Sequence, residues 1–539
     1  MATSRRVASG REGLLLAGSV STRIRRPVVI VGAGPVGLTL AIDLAQRGQP
    51  VVVLDNDNRL SIGSRALCFA KRTLEIWDRL GVGQTMVDKG VSWNVGKVFF
   101  HDEQVYQFNL LPEHGHERPA FINLQQYYCE AYLVERALQL EKIEIRWHNT
   151  VKGIEPHDDG ATLTVATPDG DYRLDADWVL ACDGARSPLR SLMGLESKGR
   201  IFRDRFLIAD VKMEADFPTE RWFWFDPPFH PNQSVLLHRE PDNVWRIDFQ
   251  LGWEADPEEE KKPENIIPRV EALLGADTKF TLEWASVYTF ACLRMDRFVH
   301  GRVVFAGDAA HGVSPFGARG ANSGVQDADN LAWKLDWVLR GRAPASLVQT
   351  YGPEREYAAD ENILNSSRAT DFITPKSEIS RLFRDQVLEL AKEHDFARRL
   401  VNSGRLSVPA TLHGSSLNTP DVDAFQGRMV PGAPLTDAPV VRRDGTSSWL
   451  FRETAAEFTL LIFGDAPAWA DDLQHVTTVT VGPGAGQDLH DVQGLVCQRL
   501  DATPGSAYLI RPDQHVCARW RQPTAAAVRR ALKTATAHD

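Results

Sequence analysis

The chain has 539 residues, of which 43% are hydrophobic and 24% charged, and a formal net charge of -10 at pH 7. This length exceeds what one hydrophobic core supports, so we expect roughly two or three domains. The acidic balance argues against nucleic acid or an anionic membrane as a partner, and no run approaches the about 18 apolar residues of a transmembrane helix.

The six cysteines are scattered through the chain without any CxxC pair. This pattern indicates reduced thiols in a cytoplasmic protein, with no disulfide framework and no zinc site. Residues 1–26 combine arginine and serine with one short apolar run, LLLAG. That run is too short to cross a membrane, which favours a disordered extension over a targeting signal.

The segment PVVIVGAGPVGLTLAIDLAQRGQPVVVLDND, residues 27–57, predicts a strand, a glycine turn, a helix and a second strand. Gly32, Gly34 and Gly37 fill the GxGxxG positions, and Asp55 closes the second strand where a ribose hydroxyl would bind. The strand, the helix and the acidic residue at the expected distance favour a dinucleotide site over a coincidental glycine turn.

The next elements follow from periodicity and turn residues. Helical patterns cover RTLEIWDRLGV and QQYYCEAYLVERAL, and residues 143–190 predict a β-meander with turns at 159–160 and 169–170. Residues 200–290 carry aromatic, strand-like patches and predict a mostly antiparallel layer. Helix-rich sequence continues to about residue 400, before a linker and a small separate unit from about residue 428.

The stretch FAGDAAHGVSPFGARGANSGVQDADNLAWKL, residues 305–335, predicts a strand that delivers Gly307 and Asp308 to the mouth of a long helix. Ser323 and Gln326 fit a capping box, which predicts a helix start between Gly320 and Ser323. The helix N-terminus favours an anion, and Asp308 accepts from hydroxyls. Reduced flavin with its ribityl chain satisfies both, whereas an ordinary strand-turn-helix leaves the glycine density unexplained.

Three motifs, GAGPVG at 32–37, ACDGARSPLR at 181–190 and AGDAAHGVSPFGARGANSG at 306–324, resemble those of class A flavoprotein aromatic hydroxylases. The chain is most similar to the phenol and 3-(3-hydroxyphenyl)propionate hydroxylase branch. The resemblance implies an α/β protein with a Rossmann-like FAD-binding domain of the glutathione reductase type, an inserted β-rich substrate domain and a thioredoxin-like C-terminal domain. The implied segments are the extension 1–26, FAD-binding parts at 27–195 and 291–420, the substrate domain at 196–290 and the thioredoxin-like domain at 428–539.

The resemblance also implies which residues hold FAD. Glycines of the first motif would contact the pyrophosphate, Asp55 the adenosine ribose, and Asp308 the ribityl hydroxyls; Gln125 is an alternative to Gln126 near the flavin. The full set of implied FAD-binding positions is Gly32, Gly34, Pro35, Val36, Gly37, Asp55, Asn56, Arg65, Gln126, Asp183, Gly184, Gly307, Asp308, Pro315, Gly317, Gly320, Ala321 and Asn322.

The implied reaction uses NAD(P)H to reduce FAD, and O2 then forms a flavin C4a-hydroperoxide that hydroxylates a phenolic ring. A base or a depressed phenol pKa is expected, because a phenolate reacts faster than a phenol. The candidate catalytic residues are Tyr288, His238, Arg246 and Pro315, with His230 also in the substrate layer. Each has a simpler reading, as a structural partner of neighbouring strands or as plain packing.

Several features leave alternatives open. WFWFDP at 222–227 partly matches the WxWxIP motif of flavin-dependent halogenases, although sheet packing of the two tryptophans explains it as well. GARGAN replaces the common GGQGMN, so Arg319 and Ala321 alter the surroundings of the flavin ring. Epoxidation or Baeyer-Villiger oxygenation of a polyketide-like aromatic, or sequestration of an aromatic ligand without turnover, are further alternatives.

The tail carries only Cys497 and Cys517, twenty residues apart, rather than a redox pair. Its expected role is therefore structural or at a subunit interface, and the family resemblance implies a homodimer.

Overall fold

The structure is a computed structural model that describes residues 24–214, 217–275, 277–401, 406–454, 456–484 and 486–538. Its first strand begins at Ile24, inside the predicted extension 1–26, and the rest of that extension lies outside the described residues. Within the described part, no helix is long and apolar enough to cross a membrane.

The strands are numbered in chain order. They are β1 Ile24–Val31, β2 Val51–Leu54, β3 Cys68–Ala70, β4 Val91–Trp93, β5 Val95–Phe100, β6 Glu103–Asn109, β7 Phe121–Asn123, β8 Ile143–Arg146, β9 Thr150–His157, β10 Gly160–Thr167, β11 Gly170–Ala181, β12 Ser197–Met213, β13 Arg221–Phe225, β14 Ser234–Arg239, β15 Val244–Leu251, β16 Phe280–Met295, β17 Val299–His300, β18 Val303–Phe305, β19 His311–Gly312, β20 Pro439–Arg442, β21 Ser447–Trp449, β22 Phe458–Phe463, β23 Val476–Val481, β24 Leu489–His490, β25 Ala507–Ile510 and β26 Val516–Trp520.

The α-helices follow the same convention. They are α1 Pro35–Gln46, α2 Lys71–Leu80, α3 Gly83–Lys89, α4 Gln126–Leu138, α5 Pro188–Leu192, α6 Pro257–Glu260, α7 Pro263–Leu274, α8 Gly320–Leu339, α9 Ser346–Gln349, α10 Tyr351–Ile373, α11 Glu378–Ala391, α12 Asp395–Val401, α13 Leu450–Glu453, α14 Leu495–Leu500 and α15 Ala525–Ala535. Short 3-10 turns lie at Pro241–Asn243, Gly307–Ala309 and Ala468–Asp472.

The first sheet carries the predicted βαβ unit. Its strand order is β17-β18-β11-β1-β2-β8, and β1 pairs in parallel with both β2 and β11. The apolar run Val28–Ile30 is fully buried, in one apolar cluster with Leu40 and Leu44 of α1 and Leu163 and Val165 of β10. The predicted meander is confirmed over β9 to β11, where β10 pairs antiparallel with both neighbours. Its predicted start is wrong, because β8 pairs in parallel with β2.

The second sheet has the order β19-β16-β12-β15-β14-β13-β5-β6. Its long central strand β12 pairs antiparallel with β15 and β16, as predicted for residues 200–290. The sheet also draws on β5 and β6 from an earlier part of the chain, and β5 pairs with β13 in parallel. On β12, Leu207 and Ala209 belong to an apolar cluster on one face, while Phe206 and Asp210 lie on the other.

The helix after the GDAAH motif begins at Gly320, within the predicted range. The predicted capping box is wrong, because Ser323 lies inside the helix and its hydroxyl accepts a hydrogen bond from Asn362 Nδ2 of α10 at 3.1 Å. Arg319 occupies the N-cap position instead. The helix ends at Leu339, and Gly341 follows with φ +66°, a left-handed conformation in which glycine commonly ends a helix.

The C-terminal unit has the sheet order β21-β20-β24-β23-β22-β25-β26. Strand β22 is parallel to β23 and antiparallel to β25, which forms a hairpin with β26, and α15 follows the sheet. This arrangement agrees with the predicted thioredoxin-like domain. All six cysteines are free thiols, and burial raises the pKa of Cys497 to about 11 and that of Cys517 to about 12. Neither thiol is therefore activated for redox chemistry.

The C-terminal unit encloses a cavity of about 270 Å³ against α1 and α2, and Asp437 lines it. The Asp437 carboxylate accepts a hydrogen bond from the Phe451 amide at 3.1 Å and is 1% exposed. Burial, followed by the nearby charge of Glu75, raises its pKa to about 7. A carboxyl whose pKa is raised on folding favours the folded state at low pH, and this contribution is lost as pH rises through the folded pKa.

We therefore expect Asp437→Asn to stabilise the protein above neutral pH. The gain in free energy of unfolding should be about 1–3 kcal/mol near pH 8 and should shrink toward pH 5, because the wild-type carboxyl is protonated there. Urea unfolding of both proteins at the two pH values measures this difference. A gain that is equal at both pH values would show that Asp437 does not titrate in this window.

Candidate functional site

Each glycine of the first motif is present for a different structural reason. Gly32 has φ +109°, and a Cβ there would lie 2.3 Å from the Cys182 carbonyl oxygen. A Cβ at Gly37 would lie 2.0 Å from the Gly32 carbonyl oxygen, whereas one at Gly34 meets nothing within 4 Å. Gly32 and Gly37 are thus required by packing, while Gly34 leaves the N-terminus of α1 open to a phosphate.

Asp55 braces this turn from the end of β2. Its carboxylate accepts from the Ala33 amide at 2.6 Å and from the Asp57 amide at 2.9 Å. The side chain is half-buried, and the adjacent Asn56 is exposed. The acidic residue therefore lies beside the glycine turn, as the sequence predicts for a ribose-binding position.

The other two motifs reach the same edge of the sheet, because Val31, Ala181 and Phe305 are in register across β1, β11 and β18. Asp183 follows β11 directly; its carboxylate accepts from the Leu189 amide at 2.9 Å, and burial raises its pKa. Gly184 has φ +79°. The ACDGARSPLR motif is tied to GDAAH by Arg190, whose Nη1 donates to the Ala309 carbonyl at 2.8 Å.

Asp327 of α8 holds the GDAAH turn, a role that the sequence analysis did not predict. It accepts from the Gly307 amide at 2.9 Å, lies 2.7 Å from His311 Nε2, and accepts from Arg355 Nε at 2.6 Å. Burial alone would raise its pKa, but the charges of His311 and Arg355 outweigh burial and lower it. The sequence around it, GVQDADNL, also contains Asp329 and Asn330, so no local signal singles out Asp327.

Asp308 projects from this braced turn into the crevice at the edge of the first sheet where the three motifs meet, and its side chain is exposed. Desolvation by the surrounding crevice raises the pKa of its carboxyl. The charge of His311 opposes this rise, and that of Asp327 adds to it. The carboxylate is thus an accessible acceptor beside the open N-terminus of α1. This donor and acceptor set fits the pyrophosphate and polyol chain of FAD.

The following loop turns through Gly317 at φ +100° and Ala318 at φ +52°, and it leaves Pro315 exposed. Gly320 and Ala321 then open α8. Arg319 is only 6% exposed, with Nη1 3.5 Å from Asn362 Oδ1 of α10. The guanidinium is therefore directed at α10, and its expected effect on the surroundings of the flavin ring stays a prediction.

The Asn322 side chain is engaged on both of its polar atoms. Its Oδ1 accepts from the Ala70 amide at 2.8 Å and the Thr73 hydroxyl at 2.6 Å, while Nδ2 donates to the carbonyls of Cys68 at 2.9 Å and Ala318 at 2.6 Å. The side chain thus fastens the loop to β3 and α2, and the FAD contact expected of Asn322 stays a prediction.

Two candidates from the earlier part of the chain meet at the loop before β3, which carries Arg65, while Gln126 begins α4. The Arg65 side chain is exposed, and Gln126 Oε1 accepts from the adjacent Ala66 amide at 3.0 Å. Gln125 is buried and donates to the Pro241 carbonyl at 3.3 Å. Of the two glutamines, Gln126 is the one that contacts the loop carrying Arg65.

An aromatic wall on the second sheet faces the loop of residues 313–319, which we call the flavin loop. Phe206 and Phe290 pack on Phe316 of the loop with ring centroids 5.1 and 5.4 Å apart, and Tyr288 packs on Phe290 at 5.6 Å. The three phenylalanines are buried, whereas Tyr288 is 47% exposed. Burial and the charge of Asp308 raise the Tyr288 pKa. Tyr288 is thus a protonated hydroxyl available to an aromatic ligand.

Arg246 and His238 lie deeper on the same sheet face. Arg246 Nε donates to Asp248 at 2.9 Å, its Nη1 bonds the Ser64 carbonyl, and His238 Nε2 lies 3.2 Å from Asp248. Burial lowers the pKa of His238 to about 4, so the ring is neutral. Both residues are buried, which agrees with the structural alternative for them.

The remaining sequence candidates lie away from the crevice. His230 Nε2 is 2.7 Å from the Gln250 carbonyl. Trp222 and Trp224 pack against Phe99 on the apolar face of the second sheet, opposite the face that carries Phe206 and Arg246. Sheet packing therefore accounts for the partial WxWxIP match.

Comparisons with known proteins agree with this geometry. A family model described as an FAD binding domain matches residues 25–366. A Streptomyces rimosus 12-dehydrotetracycline 5-monooxygenase/anhydrotetracycline 6-monooxygenase is 29% identical over 515 residues, covering 92% of this chain and 95% of that protein. A probable NADH-specific resorcinol 4-hydroxylase of Rhodococcus jostii is 33% identical, covering 61% of this chain and 62% of that protein.

The crystal structure of the flavin-dependent monooxygenase PieE in complex with FAD and substrate has a TM-score of 0.80 to this chain, at 20% identity. It covers 95% of this chain and 98% of that chain, so the likeness in fold includes the C-terminal unit. Because the family model matches more than half of the residues, the chain belongs to this FAD binding domain family, and its relatives place it among the class A flavoprotein aromatic hydroxylases.

Proposed function

We propose that the protein is an NAD(P)H-consuming FAD monooxygenase that hydroxylates a phenolic aromatic. The observation that carries the proposal is the half-exposed side chain of Tyr288 on an aromatic wall that packs on the flavin loop through Phe316. When bound, FAD supplies the activated oxygen for this reaction. The name of the Rhodococcus relative supports a reduced nicotinamide as the electron donor.

In this proposal the chain binds FAD, orients the substrate and excludes water. The open N-terminus of α1 at Gly34 and the accessible carboxylate of Asp308 hold FAD, with Asp55 beside the ribose. The buried rings of Phe206 and Phe316 keep water from one side of the reacting ring. Pro315, exposed next to Phe316, completes the substrate side of the loop.

Tyr288 has a definite role in the proposal. Since its pKa is raised, its hydroxyl remains protonated at neutral pH and donates a hydrogen bond to the phenolate oxygen rather than removing its proton. We expect Tyr288→Phe to lower the hydroxylation rate by about 10-fold to 100-fold, the range for one hydrogen bond to a charged group. FAD affinity should stay unchanged, and stopped-flow kinetics with a flavin titration measure both. An unchanged hydroxylation rate would remove Tyr288 from the proposal.

A second candidate substrate is a polyketide-like aromatic, which would be hydroxylated or otherwise oxygenated at the same site. It is favoured by the Streptomyces rimosus relative, whose alignment runs through 92% of this chain, including the C-terminal unit. The resorcinol hydroxylase relative has the higher identity, but its alignment covers only 61% of this chain. The two candidates differ in substrate size rather than in the flavin chemistry.

The experiment that tests the proposal measures NAD(P)H consumption by the FAD-loaded protein with phenols, phenolic acids and fused aromatics, recording product mass. Faster flavin reduction with gain of one oxygen atom supports the enzyme and identifies the substrate class. Tight ligand binding with no stimulated NAD(P)H oxidation would instead support sequestration without turnover.

We further propose that the enzyme works as a homodimer in the cytoplasm. The free state of all six cysteines supports the cytoplasmic location. Analytical ultracentrifugation of the FAD-loaded protein tests the dimer, and a single monomer-sized species across concentrations would contradict it.

A further inference from the structure

The turn between β25 and β26, residues 511–515, enters the FAD-binding part of the molecule. Arg511 and Asp513 are fully buried there, and Arg511 Nη1 donates to Glu354 of α10 at 2.6 Å. Asp513 accepts from Asn330 of α8 at 3.1 Å. A turn of the C-terminal unit is thus joined through buried polar groups to the helix that begins at the flavin loop.

Arg72 of α2 is the junction of this contact. Its Nη1 donates to Gln514 Oε1 at 3.0 Å, and its Nη2 donates to the Asp513 carbonyl at 2.7 Å and to Asp329 of α8 at 3.0 Å. Arg72 is 4% exposed, so these bonds are shielded from water. The guanidinium therefore fixes α2, α8 and the C-terminal turn relative to one another.

The same two helices hold the flavin loop. Thr73, the neighbour of Arg72, donates to Asn322 of α8 at 2.6 Å, and Asn322 in turn donates to the Ala318 carbonyl of the loop at 2.6 Å. A shift of α2 against α8 would therefore change the position of the loop through Asn322. The path from Gln514 to Ala318 runs through direct hydrogen bonds and the peptide bond between Arg72 and Thr73 in α2.

We infer that the C-terminal turn is a positioning element for the FAD site, in which Gln514 and Arg72 set the spacing of α2 and α8. The inference concerns FAD binding, which family membership establishes, and does not depend on the proposed substrate chemistry. It gives the cysteine-poor C-terminal unit a role at the cofactor, beyond the structural or subunit-interface role expected from its sequence.

The test compares three variants by FAD affinity and melting temperature. Gln514→Met removes the acceptor for Arg72 and should weaken FAD binding at least about fivefold, the lower range of coupling between sites. Gln514→Glu keeps an acceptor oxygen for Arg72 but loses the amide that donates to the Phe451 carbonyl, so it should restore part of the affinity. Thr524→Ala removes the side-chain cap of α15 in the same unit and should lower the melting temperature without changing FAD affinity.

The inference is overturned if Gln514→Met binds FAD like the wild type, or if Thr524→Ala weakens FAD binding as much as Gln514→Met does. A second measurement uses the wild-type chain, in case the methionine variant fails to fold. Since coupling is reciprocal, saturating FAD should slow amide hydrogen exchange across residues 511–516. Exchange rates that are the same with and without FAD would also overturn it.

Discussion

Gly34→Ala should separate FAD binding from folding. Gly34 has φ -77° and ψ -178°, a conformation open to any residue, and a Cβ there meets nothing within 4 Å. The apoprotein should therefore keep its melting temperature. The added methyl group occupies the space through which a pyrophosphate approaches the backbone, so FAD affinity should fall by about 10-fold to 100-fold. Fluorescence titration of the apoprotein with FAD measures the loss.

Alanine variants of two other glycines serve as comparisons for this result. Gly32→Ala should lower both stability and FAD affinity, because its Cβ would lie 2.3 Å from the Cys182 carbonyl at φ +109°. Gly414→Ala, at an exposed position with nothing within 4 Å, should change neither quantity. If Gly34→Ala bound FAD as tightly as Gly414→Ala does, the pyrophosphate would not lie at the N-terminus of α1.

Glu354→Gln should destabilise the folded protein strongly. Glu354 is buried and accepts from Arg511 at 2.6 Å, from Lys334 at 2.7 Å and from Asn330 at 2.7 Å. The glutamine keeps the size of the side chain but removes the charge that balances two buried cations. Removing one partner of a buried ion pair costs about 3–5 kcal/mol in free energy of unfolding. Urea unfolding followed by tryptophan fluorescence measures the change.

The matched control is Glu155→Gln, which removes an exposed ion pair between Glu155 and Arg173 on the β-meander. Its unfolding curve should coincide closely with that of the wild type, because water already solvates both charges. A Glu354→Gln curve that also coincides with the wild type would mean that the buried charges at α10 are not held by Glu354.

The sequence predicted those features that have a local signature. The glycine turn at Gly32, the meander turns and the helix from Gly320 all follow from residue types at fixed spacing. The placement of Asp308 at the carboxyl end of a strand also follows, because parallel strands share one edge.

Features that depend on distant partners could not be predicted. Ser323 fits a capping box by spacing, yet it bonds to Asn362 of α10, and the Asn322 side chain bonds to β3 and α2. Arg72 and Gln514 are separated by 442 positions. Such pairs leave no periodic pattern in the sequence, because each residue reads locally as a polar side chain on a surface.

The most direct test of the central claim is a single-turnover reaction with isotopically labelled oxygen. The FAD-loaded protein is reduced by NAD(P)H without oxygen in the presence of an aromatic that stimulates reduction, and it is then mixed with 18O2. The account predicts an aromatic product that carries one atom of 18O. Reoxidation of the flavin that yields only hydrogen peroxide, with the aromatic unchanged for every compound that stimulates reduction, would contradict it.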